Sequence, residues 1–344
     1  MINLCCAFGG RSDEYEVSLQ SVYGVLKNAD KAKYNLIKLG ITRDGKWYRY
    51  TGDDERIKDG SWTEDLENLH PAHLSQTYGD HNLYSDMGEV KIDVFFPVMH
   101  GTNCEDGVLQ GALELCGIPC VGSDHAASAC CMDKAITKLI VRDTGVPQAD
   151  CVIVTRREVN TALEGICDLV EEKFPYPVFV KPARTGSSVG VSKAKTREDL
   201  REALVNAVKY DSKVLIEEFV PGGEFEVAVL GNEEPVASCV GEIEPGAEFY
   251  DYENKYADDT ARYYIPARLT PEIAEKIKGY AIKVYTALGC KGLSRVDFFY
   301  DGENITFNEI NNLPGFTPIS MYPKLWAHEG VSYSELIDRL VDLA

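Results

Sequence analysis

The chain has no apolar run approaching the length of a bilayer-crossing helix, which excludes a protein threaded through a membrane by helices. It also lacks a CxxC pair and any Cys/His spacing of a zinc site, although it carries 11 cysteines. These are scattered and odd in number, and Cys5, Cys6, Cys116, Cys120, Cys130 and Cys131 sit in apolar stretches where valine or alanine would serve. Buried free thiols in a reducing compartment are expected, and a disulfide scaffold is not. Positive charge is scarce. Against 55 acidic residues stand 35 Lys and Arg, and the net charge of −20 argues against nucleic acid or an anionic membrane surface as partner. A small anionic nucleotide remains open as a ligand, because a local cluster of Lys and Arg inverts the field. Neither the GxGxxG dinucleotide fingerprint nor the GxxxxGK[ST] phosphate loop occurs. The opening residues, MINLCCAF, lack a basic leader and read as a buried strand, so a cytoplasmic location is expected.

What is present is an ordinary globular composition, 44% apolar and 26% charged over 344 residues, enough for two or three domains. The first third alternates a strand at 2–8, a helix over 16–27, strands at 34–41, 46–50 and 90–97, a helix over 106–115 and a strand at 118–121. This βαβ pattern predicts a mostly parallel sheet, with the polar, aperiodic residues 51–89 as a surface excursion. Then follow helices at 126–132 and 133–143, and strands at 149–154 and 178–182 around a helix at 161–172. A helix at 199–209 precedes strands at 213–219, 225–230 and 234–240. A long loop at 242–266, a helix at 271–287 and a closing helix at 332–343 complete the pattern.

Two short strands near the C-terminus carry the strongest chemical signal. LSRVDFFY (293–300) and ITFNEIN (305–311) flank an Asp301-Gly302 turn, which predicts a hairpin. Side chains alternate along a strand, so Arg295 shares a face with Asp297, and Glu309 with Asn311. Two carboxylates, a carboxamide and a guanidinium then converge in otherwise apolar strands. Buried charges are paired or hold a metal, and hard oxygen ligands suit Mg²⁺. Upstream, PARTGSSVG (182–190) joins two strands behind Lys181; its small residues let backbone N–H groups and hydroxyls close over phosphate oxygens.

Taken together, Lys134, KPARTGSSVG (181–190), IEEFVPGGEFEVAVL (216–230), SRVD (294–297) and NEINNLPGFTPISMYP (308–323) resemble the D-alanine–D-alanine ligases of the ATP-grasp superfamily. FGGRSDEYEVSLQS (8–21), HGTNCEDGVLQG (100–111) and FYDYENKYADDTARYYIPARL (249–269) resemble the same family, in order and at similar spacing. The resemblance implies a mixed α/β fold in three domains: a Rossmann-like N-terminal domain at 1–122, a central one at 123–215, and a C-terminal one at 216–344. ATP would lie between the last two, under a lid at 242–266. It implies that Lys134, Lys181 and Lys255 bind phosphates. Glu217, Glu218, Val220 and Glu224 would meet the adenine and ribose. Asp297, Glu309 and Asn311 would hold two Mg²⁺ ions, with Mn²⁺ as a substitute.

The implied reaction activates one D-alanine as an acyl phosphate, which the amine of a second D-alanine then attacks. By the resemblance, Glu16 meets the first ammonium, with Ser187 and Tyr256 in a relay beside it. Arg295 and the Gly315 N–H stabilise developing negative charge. Ser320 and Met321 receive the second carboxylate, with His100 near that site. A homodimer is implied, with neither nucleic acid nor membrane as partner. Cys104 stands where the family usually carries glycine, and TPIS lacks the histidine that some relatives place before the serine. The rival activities are D-alanyl-D-serine or D-alanyl-D-lactate formation and non-catalytic ATP binding. The Lys255-Tyr256 pair and the apolar Met321 favour the dipeptide.

Overall fold

A computed structural model describes residues 1–244 and 262–344. Three sheets organise them. The first has the order β6-β5-β4-β3-β2-β1-β7, from Ile2–Gly9 (β1), Tyr34–Ile41 (β2), Trp47–Tyr50 (β3), Leu69–Leu74 (β4), Asn82–Ser85 (β5), Gly88–Lys91 (β6) and Val94–Pro97 (β7). Only β2-β1-β7 run parallel; the remaining pairs are antiparallel. This corrects the expectation of a mostly parallel sheet. It also corrects the reading of 51–89 as an excursion, since that segment contributes strands that widen the sheet. Their short, polar runs hid the alternation, and few of their residues are fully buried. The expected strand at 118–121 is a single bridge between Phe95 and Cys120.

The second sheet is antiparallel, in the order β10-β9-β11-β8, from Cys151–Thr155 (β8), Val178–Pro182 (β9), Ser192–Ala194 (β10) and Lys213–Glu218 (β11). Helices Arg156–Lys173 and Arg197–Tyr210 cover one face of it. The first begins at a capping box, in which Thr155 and Glu158 satisfy each other's backbone N–H groups. β11 runs to Glu218, and the chain passes to the next sheet through residues 219–222.

The third sheet is antiparallel, in the order β14-β13-β12-β15-β16, from Gly223–Leu230 (β12), Val236–Glu244 (β13), Arg262–Tyr264 (β14), Leu293–Tyr300 (β15) and Ile305–Asn311 (β16). Both ends of the expected 242–266 loop are therefore strand, paired at Glu242–Tyr264 and Glu244–Arg262. The expected helix at 271–287 forms as Pro271–Ala287, with Thr270 as N-cap and proline in its first turn, where no N–H is needed. It packs on one face of the sheet. The other face, with helices Met321–His328 and Tyr333–Asp342, shares a core with helix Tyr15–Asn28 and the first sheet. Helix Met321–His328 was hidden by Pro323, which occupies its first turn. No described helix is long and apolar enough to cross a membrane.

All 11 cysteines are free thiols, as the sequence led one to expect. Trp62, from the segment read as an excursion, is fully buried. Its ring stands edge-on to Phe8 at 5.0 Å and its indole N–H donates to the Tyr15 hydroxyl at 2.9 Å. Gly40 passes so close that a Cβ there would lie 2.4 Å from the indole. Trp62→Ala is expected to cost about 3–5 kcal/mol, through lost burial and an unfilled cavity. Urea unfolding followed by circular dichroism checks this, and a midpoint equal to wild type would show that the segment is not part of the core.

Candidate active site

Two lysines of one helix and one lysine of a strand build the cationic wall. Asp133 caps helix Lys134–Arg142 by accepting from the N–H groups of Ala135 and Ile136, and its other oxygen takes Lys213 at 2.7 Å. That cap fixes Lys134, whose ammonium donates to the Thr185 carbonyl at 2.8 Å and stands 3.9 Å from Glu309. One turn on, buried Lys138 donates to the Ala149 carbonyl at 3.0 Å and meets Glu217 at 3.1 Å. Lys181, on β9, meets the other oxygen of Glu217 at 2.6 Å. Burial pushes the Glu217 carboxyl up, but the Lys181 and Lys138 charges outweigh it and hold it down at about 2.

The expected hairpin forms, and its register sets Asp297 opposite Glu309 and Arg295 opposite Asn311. On the other side of β15, Glu226 lies opposite Asp297, so three carboxylates form a row across β12, β15 and β16. Arg295 clamps Asp297 with two hydrogen bonds of 2.8 and 2.7 Å and reaches Glu226 at 3.2 Å. Among the described residues no three His, Cys, Asp or Glu side chains close into a self-sufficient metal site. Asp297, Glu309 and Asn311 instead offer a partial set of hard oxygens. That set fits Mg²⁺, which keeps several positions for phosphate and water.

The loop at 185–190 is held by Arg184, which is clamped on buried Asp211 at 2.7 and 3.1 Å. Ser187 and Ser188 adopt left-handed backbone, at φ 47° and 59°, an uncommon conformation outside glycine that presents the loop toward the N-terminal sheet. Ser187 donates to Glu14 at 2.5 Å. Glu16, the acid expected in the relay, lies in the first turn of helix Tyr15–Asn28 and ion-pairs with Arg43 on the exposed side. Glu14, at the N-cap position, points across to the loop, and a Cβ on Gly186 would meet its carboxylate at 3.1 Å. The sequence offered both acids in SDEYE; only the helix start decides between them.

His100 is buried, with its ring nitrogens toward Ser21 at 3.2 Å and the Leu313 carbonyl at 3.1 Å. Burial pushes this imidazole down, but Glu105 at 3.5 Å outweighs it and leaves His100 above the ordinary histidine range. Cys104 points into the N-terminal core, where burial pushes its thiol up. Ser320 occupies the N-cap position of helix Met321–His328 without a side-chain capping bond; its hydroxyl lies 2.7 Å from that of Thr317, and a Cβ on Gly315 would stand 3.0 Å from it.

These groups surround one cavity of about 720 Å³. Glu14, Glu16 and His100 line it from the N-terminal part, and Lys134, Lys181, Ser187 and Glu217 from the central part. Arg295, Glu309, Asn311, Gly315, Ser320 and Met321 line it from the C-terminal part. Asp297 is buried behind Arg295, and Glu218, Val220 and Glu224 are not among the lining residues. Lys255 and Tyr256 lie outside the described residues. Sequence reading missed Glu14, Lys138 and Glu226. Lys138 was legible as the residue one helical turn beyond Lys134, and Glu226 as sharing a strand face with Glu224.

The family model described as D-ala D-ala ligase N-terminus matches residues 3–123, and that described as D-ala D-ala ligase C-terminus matches residues 140–342. A D-alanine–D-alanine ligase of Acetivibrio thermocellus is 50% identical over 98% of this chain and 94% of its own length. One from Clostridium acetobutylicum is 48% identical over 98% and 96%. Among solved structures, the VanG D-Ala:D-Ser ligase from Enterococcus faecalis superposes with a TM-score of 0.92 at 41% identity, covering 99% of both chains. The D-alanine–D-alanine ligase from Coxiella burnetii gives 0.87 at 32% identity, covering 99% of this chain and 93% of that one.

Lys138→Met removes one of the two charges that keep Glu217 ionised. A carboxyl whose folded-state pKa is depressed contributes stability above its unfolded value and loses it as pH falls toward the folded one. The variant is expected to be less stable than wild type at neutral pH, with the difference narrowing as pH falls from 4.5 toward about 2. Urea midpoints across that range check this, and a gap that widens on acidification overturns it.

Proposed function

The chain belongs to the D-alanine–D-alanine ligase family, and from that premise we infer that its cavity joins two D-alanines into D-alanyl-D-alanine, with ATP as phosphoryl donor, for peptidoglycan precursor synthesis. The observation that carries the reading is the meeting of Lys134, Lys181 and Arg295 with the carboxylates of the β15–β16 hairpin on one cavity wall. Phosphoryl transfer asks little of a protein beyond positioning and neutralisation of charge, and this wall offers both. The ATP-grasp architecture divides naturally at its three sheets, with the nucleotide between the second and third.

In this reading Lys134 and Lys181 hold the phosphates, with Lys255 closing over them from the 242–266 lid. Glu217 and the segment through Glu218, Val220 and Glu224 receive adenine and ribose. Two magnesium ions, held by Asp297, Glu309 and Asn311, would neutralise the phosphate oxygens when bound. Glu14 takes the role expected of Glu16 and holds the ammonium of the first D-alanine, with Ser187 fixing its carboxylate. The first carboxylate attacks the γ-phosphate, and the second amine attacks the resulting acyl carbon as phosphate leaves. Arg295 and the Gly315 N–H face the charge that develops on the acyl oxygens. Tyr256 orients the incoming amine. Ser320 and the Met321 N–H, at a helix N-terminus, receive the second carboxylate, with His100 near the substrate. Helix Val108–Cys116 leaves Val108 and Leu115 exposed on one face, which supports a homodimer through the N-terminal part.

The likeness to a D-Ala:D-Ser ligase makes the second substrate the point to test. Met321, buried against Gly241, presents an apolar wall. Such a wall rejects an added hydroxyl weakly, by about a hundredfold at best. With equal D-alanine, D-serine and D-lactate, the expected products are chiefly D-alanyl-D-alanine, some D-alanyl-D-serine and negligible ester. A mass-resolved competition assay reads this out, and dominant D-alanyl-D-serine or depsipeptide would hand the function to the serine- or lactate-forming type.

Site assignments are tested by ATP-dependent phosphate release. Glu14→Gln is expected to lower turnover by roughly a hundredfold or more. Glu16→Gln is expected to stay within about threefold, as suits an exposed ion pair. The reverse ranking would restore Glu16. Glu309→Gln is expected to abolish turnover at ordinary magnesium, and wild-type rates there would sink the metal assignment.

A further inference from the structure

Behind the cavity lies a pair of thiols that the ligase reaction does not use. Cys131 occupies the last turn of helix His125–Met132 and contributes to the cavity wall. Cys290 comes from the link between helix Pro271–Ala287 and β15, the strand that carries Arg295 and Asp297. The two sulfurs are 3.5 Å apart, and both residues are buried, at 6% and 5% exposure. The backbone beside Cys290 has no slack, because a Cβ on Gly292 would lie 2.9 Å from the Cα of Gly122. Lys291 is tied to the same crossing, its N–H donating to Ser123 at 3.1 Å. With the Cys290 backbone held, the sulfurs approach by turning of the side chains or by movement at the end of the Cys131 helix.

We propose that Cys131 and Cys290 form a redox modification site, in which a small peroxide entering through the cavity converts the two thiols into an intramolecular disulfide. The inference goes beyond the ligase reading, since it rests on the thiol pair alone. The Cys131 thiol hydrogen bond, opposed by burial and aided by the Ser294 and Ser123 hydroxyls, holds Cys290 below the usual thiol range. Its partner is pushed up by the same hydrogen bond and by burial. Cys131, the member of the pair that lines the cavity, meets the peroxide first. Its sulfur attacks one peroxide oxygen, the O–O bond breaks, and the departing oxygen takes the thiol proton and leaves as water, giving a sulfenic acid. The Cys290 sulfur, the more acidic of the two, then attacks that sulfur, forming the S–S bond and releasing a second water. Two thiols and one peroxide become one disulfide and two waters; a dithiol reductant reverses the change by exchange.

Bond formation needs the sulfurs to close by about 1.5 Å, to the disulfide length. The helix end moves with Cys131, and Met132 and Lys134, both cavity-lining, follow it in the chain. The cross-link also ties that helix to β15. Oxidation is therefore expected to weaken nucleotide binding and slow turnover.

The test treats the reduced full chain with hydrogen peroxide, blocks remaining thiols by alkylation, and maps disulfides by mass spectrometry. The expected result is a cross-linked peptide joining Cys131 to Cys290, ahead of oxidation at the partly exposed Cys120, Cys130, Cys151 and Cys239. Turnover should fall roughly tenfold and recover with dithiothreitol. Cys290→Ser, outside the cavity lining, should keep basal turnover and resist the loss. Absence of the Cys131–Cys290 peptide from oxidised wild type overturns the proposal, whatever the variant does. So does an equal loss of turnover in Cys290→Ser. The peptide map needs no substrate, so it stands or falls separately from the ligase assignment.

Discussion

The arrangement of this molecule depends on a row of three carboxylates, Glu226, Asp297 and Glu309, set side by side across β12, β15 and β16. Like charges directly opposed on neighbouring strands repel, and partial burial deepens the cost. The row persists because cations are brought to it. Arg295 lies on the same face of β15 and spans Asp297 and Glu226. Lys134 approaches Glu309 from a helix that belongs to another part of the chain. In a protein of net charge −20, this local inversion of sign gives an anionic ligand a place to bind.

The same constraint explains why the site is spread over three sheets. The hairpin supplies carboxylates and one guanidinium, but the three lysines come from the central part. There, Lys138 and Lys181 are fixed by sharing Glu217 between them. The N-terminal part joins through a few polar bridges. Ser187 reaches Glu14, His100 faces the Leu313 carbonyl, and Asn312 donates to the Glu105 carbonyl. Beneath these bridges the first sheet and the two C-terminal helices share a single apolar core, so the cavity walls are held by packing as well as by charge.

Much of the fold was legible wherever period and punctuation agreed. The hairpin, the helix Pro271–Ala287 and strand β2 fall where the sequence pattern placed them. The widening of the first sheet was not legible. Strands β4, β5 and β6 are short, and Leu83 is their only fully buried residue, so their own pattern does not mark a buried face. Helix Met321–His328 was masked by a proline that its first turn tolerates.

The sequence by itself determined the chemistry on the hairpin, because strand periodicity fixes which residues share a face. It also determined the lysines at the ends of their elements and the family those motifs mark. The tertiary structure decided which acid of SDEYE meets Ser187, since one residue's difference in where a helix begins turns Glu16 toward Arg43 and Glu14 toward the loop. It decided, too, that Glu217 is shared by two lysines and that Cys131 touches Cys290. Contacts between residues far apart in the chain carry no local period, and only packing brings them together.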